Sequence, residues 1–171
     1  YHLEGIFDSN PKIETLDGVE IFHEYQPDLF PNALAIIAIG DNSVRKQLAQ
    51  TIHHVFGVLI HPSASMDRPS LVGAGTVVMH HAVIQRGTVI GKHVIINTAC
   101  SVDHDCILGD FVHIAPNATL CGGVQIGDET FIGAGAVVLP QIKIGKRVTL
   151  GAGTVVTKSI PDGATVVGNP G

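Results

Sequence analysis

An unbroken six-residue periodicity between residues 59 and 160 constrains the fold of this chain more than any other feature. Every sixth residue from Ile60 to Val156 is aliphatic, and the series contains no insertion. Four residues after each of these lies a small or β-branched residue, which makes a second column from Ala64 to Ile160. A chain with so short a repeat can bury an apolar edge only against the coils above and below it. The period therefore predicts a stacked solenoid.

Three six-residue segments make up each coil of this predicted solenoid. Six residues are too few for a strand and a helix, and the β-branched content of the repeats favours strands. We therefore expect three short strands per coil, with glycine supplying the corner conformations that residues with a Cβ avoid. The glycines follow the aliphatic column at every third repeat, at Gly73, Gly91, Gly109, Gly127 and Gly145.

The aliphatic column is expected to be the main source of stability. Each such side chain contributes roughly 1.5–3 kcal/mol when it is buried. A sandwich of short strands with accidental spacing is the alternative, but the loops of a sandwich would interrupt the register. The uninterrupted series favours the solenoid.

The second half of the repeat region resembles the hexapeptide-repeat acyltransferases. The segments that carry the resemblance are SVDHDC at 101–106, FVHIAP at 111–116 and VVGNP at 166–170. Within that superfamily they are similar to the group of sialic acid O-acetyltransferases and UDP-bacillosamine N-acetyltransferases. The resemblance implies a mainly β chain wound as a left-handed parallel β-helix, an exception to the right-handed crossover rule. It also implies acetyl-CoA as cosubstrate and a sugar as acceptor.

Charge and cysteine content narrow the class of protein. The formal net charge of -5 argues against nucleic acid as a partner, because such binding depends on clustered Lys and Arg. Cys100 and Cys106 lie in the small-residue column, where we expect buried free thiols of a reducing compartment. No apolar run approaches the length of a membrane span, and no signal peptide opens the chain. We expect no membrane insertion and a cytoplasmic protein.

Residues 1–58 differ in kind from the repeats. The segment EGIFDSNP, at 4–11, predicts a short strand that ends in a turn, and the apolar run from Ala33 to Gly40 is typical of a buried parallel strand. A helix follows, for which Ser43 is the predicted N-cap. Its apolar face consists of Val44, Leu48, Ile52 and Val55.

This order of elements predicts a small Rossmann-like α/β unit at 1–58 that binds a nucleotide sugar. Relatives in the resembling group usually begin with a further strand and a Ser-Gly-His-Gly loop, so the unit is apparently incomplete. The left-handed β-helix is assigned to 59–160 and a C-terminal tail to 161–171.

The ends of the predicted strands supply the candidate substrate-binding residues. Ligands usually bind at strand ends in such units, which selects Asp8 and Gly40, and the resemblance adds Ser9. The resembling group often has two adjacent carboxylates where this chain has Asp8 and Ser9. Asp8 also suits the alternative of a simple turn residue.

His104 is the candidate catalytic residue. Acetyl transfer from a thioester needs a base for the proton that the acceptor loses, and imidazole has a suitable pKa. Asp103 and Asp105 flank His104, and a neighbouring carboxylate fixes the tautomer and raises the basicity of the ring. By resemblance, His104 is the general base and Asp105 polarises it. The alternative is a solvated corner histidine, since the chain contains 10 histidines.

The spacing of the repeat places neighbours around this histidine. Gly122 lies one coil further along, which leaves room for a ligand beside His104. The resemblance implies that His113 contacts the acetyl-CoA thioester and that the backbone at Ala134 and Ala152 pairs with the pantetheine arm. A surface histidine and small repeat residues without a ligand are the alternatives at these positions.

The expected reaction is direct attack of the acceptor on the thioester, without a covalent enzyme intermediate. The resemblance also implies a homotrimer with active sites between subunits. The preferred acceptor is the amino group of a nucleotide-linked 4-amino-deoxy sugar, because an α/β unit suits a nucleotide. A hydroxyl of sialic acid or of another sugar is the alternative acceptor.

Two other classes use solenoids of this kind. One is a non-catalytic scaffold. The other is a zinc enzyme of the carbonic anhydrase type, in which histidines of adjacent subunits hold the metal. We expect no metal site, because the acetyltransferase resemblance accounts better for His104. The histidines available to the zinc alternative are His80, His81, His93, His104 and His113.

Overall fold

The repeat region forms a parallel β-solenoid in the computed structural model, which describes residues 2–10 and 12–170. Two-residue strands alternate with turns, and each strand pairs in parallel with the strand one coil away. The register joins Ile96 to Ile114 and Leu108 to Ile126, as the eighteen-residue unit requires. The expected mainly β fold with three strands per coil is therefore confirmed. The left-handed winding stays a prediction.

The described strands of the solenoid form three parallel sheets. The first contains β4 (Leu59–Ile60), β7 (Val77–Val78), β10 (Ile95–Ile96), β13 (His113–Ile114), β16 (Phe131–Ile132), β19 (Thr149–Leu150) and β21 (Thr165–Val166). The second contains β5 (Ser65–Met66), β8 (Val83–Ile84), β11 (Ser101–Val102), β14 (Thr119–Leu120), β17 (Val137–Val138) and β20 (Val155–Val156). The third contains β6 (Leu71–Val72), β9 (Val89–Ile90), β12 (Ile107–Leu108), β15 (Gln125–Ile126) and β18 (Lys143–Ile144).

Both predicted columns point into the solenoid. Ile114 and Leu120 of the aliphatic column and Ala118 of the small column are fully buried. The first coil is less covered, and Ile60 and Met66 are only partly buried against the same cluster. The inward register inferred from the period is thus confirmed, and the apolar cluster runs along the whole stack of coils.

The two cysteines of the small column are buried as expected. Cys100 and Cys106 are free thiols in the interior. Burial raises the pKa of each thiol to about 11, which keeps the sulfur protonated. Since the thiolate is the reactive form, neither side chain is an activated nucleophile.

The prediction for the glycine column was wrong in its physical reason. Gly73, Gly91 and Gly127 do not have positive φ values. They are required because successive coils approach closely: a Cβ on Gly73 would lie 2.5 Å from the carbonyl carbon of Gly91, and one on Gly127 would lie 2.6 Å from the amide nitrogen of Lys146. These glycines therefore serve the stacking of the coils.

The left-handed backbone conformation occurs instead at the turns between strands. Some of these positions are glycine, such as Gly87 and Gly123 with φ of 78° and 72°. Others carry side chains, including His93 at 54° and Asp105 at 59°. Asp and Asn tolerate this region better than most residues, so Asp105 occupies its turn at modest cost.

The N-terminal region contains a small mixed sheet and one described helix. The strands are β1 (Ile6–Phe7), β2 (Thr15–Leu16) and β3 (Val19–Phe22), in the order β1-β3-β2. β1 is parallel to β3, and β2 is antiparallel to it. β1 confirms the short strand expected before the turn at Asp8. The helix is α1 (Asn42–Thr51).

The expected strand from Ala33 to Gly40 does not form. Only Ala35 makes a β-bridge, with Phe56. Further along, the carbonyl groups of Ile39 and Gly40 accept hydrogen bonds from side chains and not from a neighbouring strand. The apolar run therefore crosses the surface of the solenoid as an extended segment, and the Rossmann-like arrangement stays a prediction.

The helix also differs from expectation in its cap and its orientation. Asp41, not Ser43, is the N-cap, and its carboxylate accepts from the amide of Val44 at 2.9 Å. The predicted apolar face is exposed at Val44, Leu48 and Val55. The helix packs on the solenoid through polar contacts instead, and the residue of α1 that is buried is Arg45.

Two further observations concern the ends of the fold and its surroundings. β21 pairs with β19, so the first sheet extends into the residues assigned to the tail. The division into units at 58 and 160 stays a prediction. No helix in the described part of the chain has the length and apolar character needed to cross a membrane.

Candidate active site

His104 lies at an exposed corner of the solenoid, in the turn between β11 and β12. Its side chain is 59% exposed, and its Nδ1 lies 2.9 Å from Oδ2 of Asp105. Because a carboxylate only accepts hydrogen bonds, Nδ1 carries the proton and Nε2 keeps its lone pair in the neutral ring. Asp103 accepts from the backbone amide of His104 at 2.8 Å. The flanking carboxylates thus orient both the ring and its backbone.

The acidic neighbours raise the pKa of His104 above its ordinary value. The hydrogen bond that Nδ1 of His104 donates to Asp105 is the largest cause, followed by the negative charge of Asp103. A carboxylate stabilises the protonated ring, so the ring is a stronger base than an isolated imidazole. The expected polarisation of His104 by Asp105 agrees with this geometry.

A glycine from the next coil lies directly beside the imidazole. A Cβ added to Gly122 would lie 2.6 Å from Nε2 of His104. The prediction that Gly122 lies beside His104 is therefore confirmed, because a Cβ at this position would force the ring to move. The space beside it is an open cleft of about 330 Å³ that Asp103, His104, Asp105, Gly122, Gly123, Pro140 and Gln141 line.

His113 is at the start of β13 and occupies a different environment. It is only 9% exposed. Its Nδ1 lies 3.1 Å from the carbonyl oxygen of Gly40, and its Nε2 lies 3.2 Å from Nδ2 of Asn97. A carbonyl accepts, so Nδ1 carries the proton and donates to Gly40.

Asn97 fixes the other side of the same ring. The amide of Thr98 donates to Oδ1 of Asn97 at 2.8 Å, which settles the orientation of the side-chain amide. Nδ2 of Asn97 therefore donates to the lone pair of Nε2 on His113. Burial lowers the pKa of His113, which agrees with a neutral ring. Both ring nitrogens of His113 are therefore engaged in contacts within the chain.

His113 and Gly40 share a second cleft, larger than the first, at about 660 Å³. It lies between the start of α1 and the first sheet. The charged groups that line it are Asp41, Glu129 and Arg147. The sequence-predicted Gly40 is thus placed beside His113, although the two are 73 residues apart in the chain. The complete lining is Gly40, Asp41, Asn42, Ser43, His113, Glu129, Phe131, Arg147 and Thr149.

Asp8 and Ser9 are exposed and line neither cleft of the described chain. The carboxylate of Asp8 accepts from the amide of Asn10 at 2.8 Å, and its backbone carbonyl accepts from Nδ1 of His23. This is the turn geometry that was the alternative interpretation of Asp8. The structure of one chain therefore does not bring Asp8 and Ser9 together with His104 or His113.

Ala134 and Ala152 lie exposed at one corner of successive coils. The carbonyl of Ala134 accepts from the amide of Gly153 at 2.8 Å, which holds the two coils together. Among the described residues, neither alanine amide has a hydrogen-bond acceptor.

His80 and His93, two other histidines of the zinc alternative, have different partners. His93 is buried between the rings of Phe56 and Phe111. His80 stacks on His61 with ring centroids 3.6 Å apart. Within residues 2–10 and 12–170, no group of three His, Cys, Asp or Glu side chains is arranged to hold a metal ion. A zinc site formed within one chain has no support in this arrangement.

Sequence reasoning missed Asn42, which lines the second cleft, and Arg45 and Asn97, which contact Gly40 and His113. Asn97 follows β10 at the position that the next three coils fill with Ala115, Gly133 and Gly151, which is a weak signal. Nothing local marks Asn42 or Arg45, whose partners lie on other elements.

Comparison with known proteins places this geometry in a family. Residues 87–122 and 123–158 match the family described as bacterial transferase hexapeptide (six repeats). A segment of 54 residues is 48% identical to UDP-N-acetylbacillosamine N-acetyltransferase of Bacillus subtilis, covering 30% of this chain and 25% of that protein. The chain thus spans about a quarter of that curated relative.

Solved structures extend the similarity to nearly the whole chain. The acetyltransferase domain of PglB from Neisseria gonorrhoeae, solved also with acetyl coenzyme A, is 39% identical with a TM-score of 0.88, covering 96% of this chain and 84% of that one. A variant of perosamine N-acetyltransferase from Caulobacter crescentus, in complex with CoA and GDP-perosamine, is 40% identical with a TM-score of 0.77, covering 79% of this chain and 66% of that one. The chain therefore belongs to the hexapeptide-repeat acyltransferases, in the group of sialic acid O-acetyltransferases and UDP-bacillosamine N-acetyltransferases.

Proposed function

We propose that the protein transfers an acetyl group from acetyl-CoA to the amino group of a nucleotide-linked 4-amino-deoxy sugar. The observation that carries the proposal is the exposed pair of His104 and Asp105 beside Gly122. It combines a ring of raised pKa, a lone pair on Nε2 and a cleft next to that nitrogen. These are the properties that a general base for acyl transfer needs.

The comparisons support the two substrates. One similar structure holds acetyl coenzyme A, and another holds CoA together with GDP-perosamine. The curated relative is named as an acetyltransferase of a UDP-linked sugar. A cosubstrate with a long pantetheine arm also suits the free amides of Ala134 and Ala152, which would pair with its amide groups.

The proposed reaction has one chemical step at the thioester. The acceptor nitrogen attacks the carbonyl carbon of acetyl-CoA while Nε2 of His104 takes the proton that the nitrogen loses. The carbon–sulfur bond breaks and CoA leaves as a thiol after it receives a proton. Asp105 stabilises the imidazolium that forms.

The active site requires more than one subunit in this proposal. His104 and His113 line different clefts of the same chain, and Asp8 and Ser9 line neither. A homotrimer would place the cleft at His104 of one subunit against the second cleft of its neighbour. The sugar nucleotide would then bind at Gly40, Asp8 and Ser9 while its amino group reaches His104.

The test is a thiol-release assay with acetyl-CoA and a panel of acceptors. The panel contains UDP- and GDP-linked 4-amino-deoxy sugars, the matching 4-hydroxy sugars, and sialic acid. We expect thiol release with an amino sugar and none with its hydroxy analogue. Release with sialic acid alone would favour O-acetylation, and absence of release with every acceptor, in a protein that still binds acetyl-CoA, would contradict the proposal.

The assembly is tested separately. Sedimentation of the purified protein reports its mass, and mixing His104→Ala with a variant damaged at the second cleft, such as His113→Ala, tests for sites shared between subunits. Recovered activity in the mixture is expected if each site combines residues of two subunits. A monomer with full activity would contradict the shared site.

A further inference from the structure

The side chain of Arg45 is buried in the contact between α1 and the solenoid. It is 1% exposed, and no carboxylate pairs with it in the described chain. Its partners are neutral oxygens, which is unusual for a buried cation. Burial lowers the pKa of the guanidinium to about 10, so the group remains charged at neutral pH.

All five N–H groups of the guanidinium have acceptors. Nε donates to the carbonyl of His93 at 2.8 Å, and Nη2 donates to the carbonyl of Phe111 at 2.9 Å and to Oδ1 of Asn42 at 2.7 Å. Nη1 donates to the carbonyls of Ile39 and Gly40, at 3.0 and 3.2 Å. One planar group thus joins two coils of the solenoid, the helix and the segment before it.

The carbonyl of Gly40 lies between Arg45 and His113. It accepts from Nη1 of Arg45 at 3.2 Å and from Nδ1 of His113 at 3.1 Å. Asn42 adds a second attachment nearby, because its Nδ2 donates to the carbonyls of Glu129 and Thr130. The carbonyl of Thr130 in turn accepts a hydrogen bond from the backbone amide of His113. The segment carrying Gly40 is therefore held in place relative to His113 from both sides.

We propose that Arg45 is a positioning residue, which clamps the carbonyl of Gly40 so that His113 is held as the Nδ1–H tautomer with Nε2 directed at Asn97. This inference rests on the proposed function for the role of the second cleft. The clamp fixes the ring plane and with it the contact between Nε2 of His113 and Nδ2 of Asn97. The positive charge of Arg45 also lowers the pKa of His113, after burial as the largest cause. The other charged groups lining this cleft are Asp41, Glu129 and Arg147.

Lysine cannot replace arginine in this arrangement. An ammonium group has three donors on a flexible stem, whereas guanidinium presents five donors in a rigid plane. Arg45→Lys keeps the positive charge near His113 and removes the clamp, so it separates geometry from charge. Lys46→Gln is the matched control on the same helix. It removes the ion pair between the partly exposed Lys46 and Glu129 and leaves both hydrogen bonds of the Gly40 carbonyl untouched.

The direct readout is the tautomer of His113 in the full protein. Nitrogen-15 NMR of the histidine rings, assigned by comparison with His113→Gln, distinguishes a protonated Nδ1 from a protonated Nε2. We expect a protonated Nδ1 in the wild type and in Lys46→Gln, and a mixture of tautomers in Arg45→Lys. A wild-type ring with its proton on Nε2 would overturn the proposal without any assay of activity.

The second readout is catalysis with the acceptor found by thiol release. A displaced catalytic contact costs about 10²-fold in rate, so we expect kcat of Arg45→Lys to fall by about that factor while KM for acetyl-CoA changes little. His53→Ala, which changes an exposed residue that lines neither cleft, should keep the wild-type kcat. If folded Arg45→Lys keeps both kcat and the tautomer, the clamp is wrong.

A second variant tests the proposal in case Arg45→Lys does not fold. Asn42→Ala retains the guanidinium and removes one acceptor of Nη2, so we expect a smaller change of tautomer in the same direction. An unchanged ring in Asn42→Ala, together with an unfolded Arg45→Lys, would make Arg45 a purely structural residue and reject the proposal. Failure of acetyl transfer in the wild type would reject the proposed function but leave the tautomer result intact.

Discussion

The solenoid and the N-terminal region satisfy their main-chain groups by different means. In the solenoid, backbone amides donate to carbonyls of the next coil in a repeated pattern, as from Ile95 to Val112 at 2.9 Å. In the N-terminal region, the carbonyls of Ile39 and Gly40 accept from the side chains of Arg45 and His113. A repeated backbone pattern needs only the right class of residue at each position, whereas a side-chain clamp needs particular residues.

The same contrast separates the two histidines of the candidate site. His104 belongs to a corner of the repeat, is exposed, and has a raised pKa because carboxylates surround it. His113 is covered by the N-terminal segment and has a lowered pKa because it is buried. The solenoid supplies the proposed base, and the N-terminal region supplies the environment of the second histidine.

The largest effect is expected from a charge in the inward column. Ile114→Asp places a carboxylate without a partner at a site that is fully buried, and it should destabilise the fold by roughly 4–5 kcal/mol or more. Ile107→Asp is the control, because Ile107 is on an outward position and is 48% exposed. Denaturant unfolding followed by circular dichroism measures both. Equal stabilities of the two variants would contradict the inward register.

The next largest effect is expected at the proposed base. His104→Ala should lower kcat by about 10²–10⁴-fold and leave acetyl-CoA affinity nearly unchanged, because the ring acts on the acceptor proton. His53→Ala is the control, since His53 is exposed and lines neither cleft. Thiol release measures turnover, and calorimetry measures affinity. Wild-type turnover in His104→Ala would reject the assignment of the base.

A smaller effect is expected when the carboxylate beside the base is neutralised. Asp105→Asn suits the left-handed turn, so the backbone should be unchanged. The pKa of His104 should fall, because its main cause of elevation is removed. The base is active when neutral, so the acidic limb of the kcat/KM profile should move to lower pH. The plateau value of kcat/KM should fall roughly 10-fold.

Asp103→Asn sharpens that result. Asp103 acts on His104 through charge and a backbone contact, without a hydrogen bond to the ring. Its replacement should therefore shift the acidic limb less than Asp105→Asn does. An acidic limb that is identical in the wild type and in Asp105→Asn would remove Asp105 from the mechanism.

The smallest effect is expected at the helix face that the sequence predicted to be buried. Leu48→Ala should change stability by no more than about 0.5 kcal/mol, because Leu48 is 36% exposed and alanine favours helix. Leu120→Ala removes the same atoms from a fully buried position and should cost about 2–5 kcal/mol. Thermal unfolding compares them. If Leu48→Ala lowered stability as much as Leu120→Ala, this face of the helix would be covered in the assembled protein.

The solenoid was largely predictable because its information is local and repeated. A column of aliphatic residues, a column of small residues and a fixed period determine the strands, the register and the buried positions together. The same arithmetic placed Gly122 beside His104. The glycine column was predicted as a feature, but its reason, the close approach of Gly73 to Gly91, depends on the distance between coils and not on local conformation.

The N-terminal region was less predictable because its decisive contacts are long-range. An apolar run such as 33–40 looks like a strand, yet a strand forms only where a neighbouring strand supplies hydrogen bonds. The helix pattern indicated an apolar face toward the core, but the helix packs through Arg45 and Asn42. Their partners at Phe111 and Glu129 lie 66 and 87 residues away in the sequence.

The sequence by itself determined the coil, its inward columns and the acidic surroundings of His104, because each depends on residues at fixed short spacings. Only the tertiary structure decided that the carbonyl of Gly40 accepts a hydrogen bond from His113 and that Asn97 contacts the other ring nitrogen. It also decided that Arg45 joins the N-terminal region to the solenoid. Those contacts arise from folding, which brings distant main-chain carbonyls within reach of particular side chains, and no local pattern encodes that proximity.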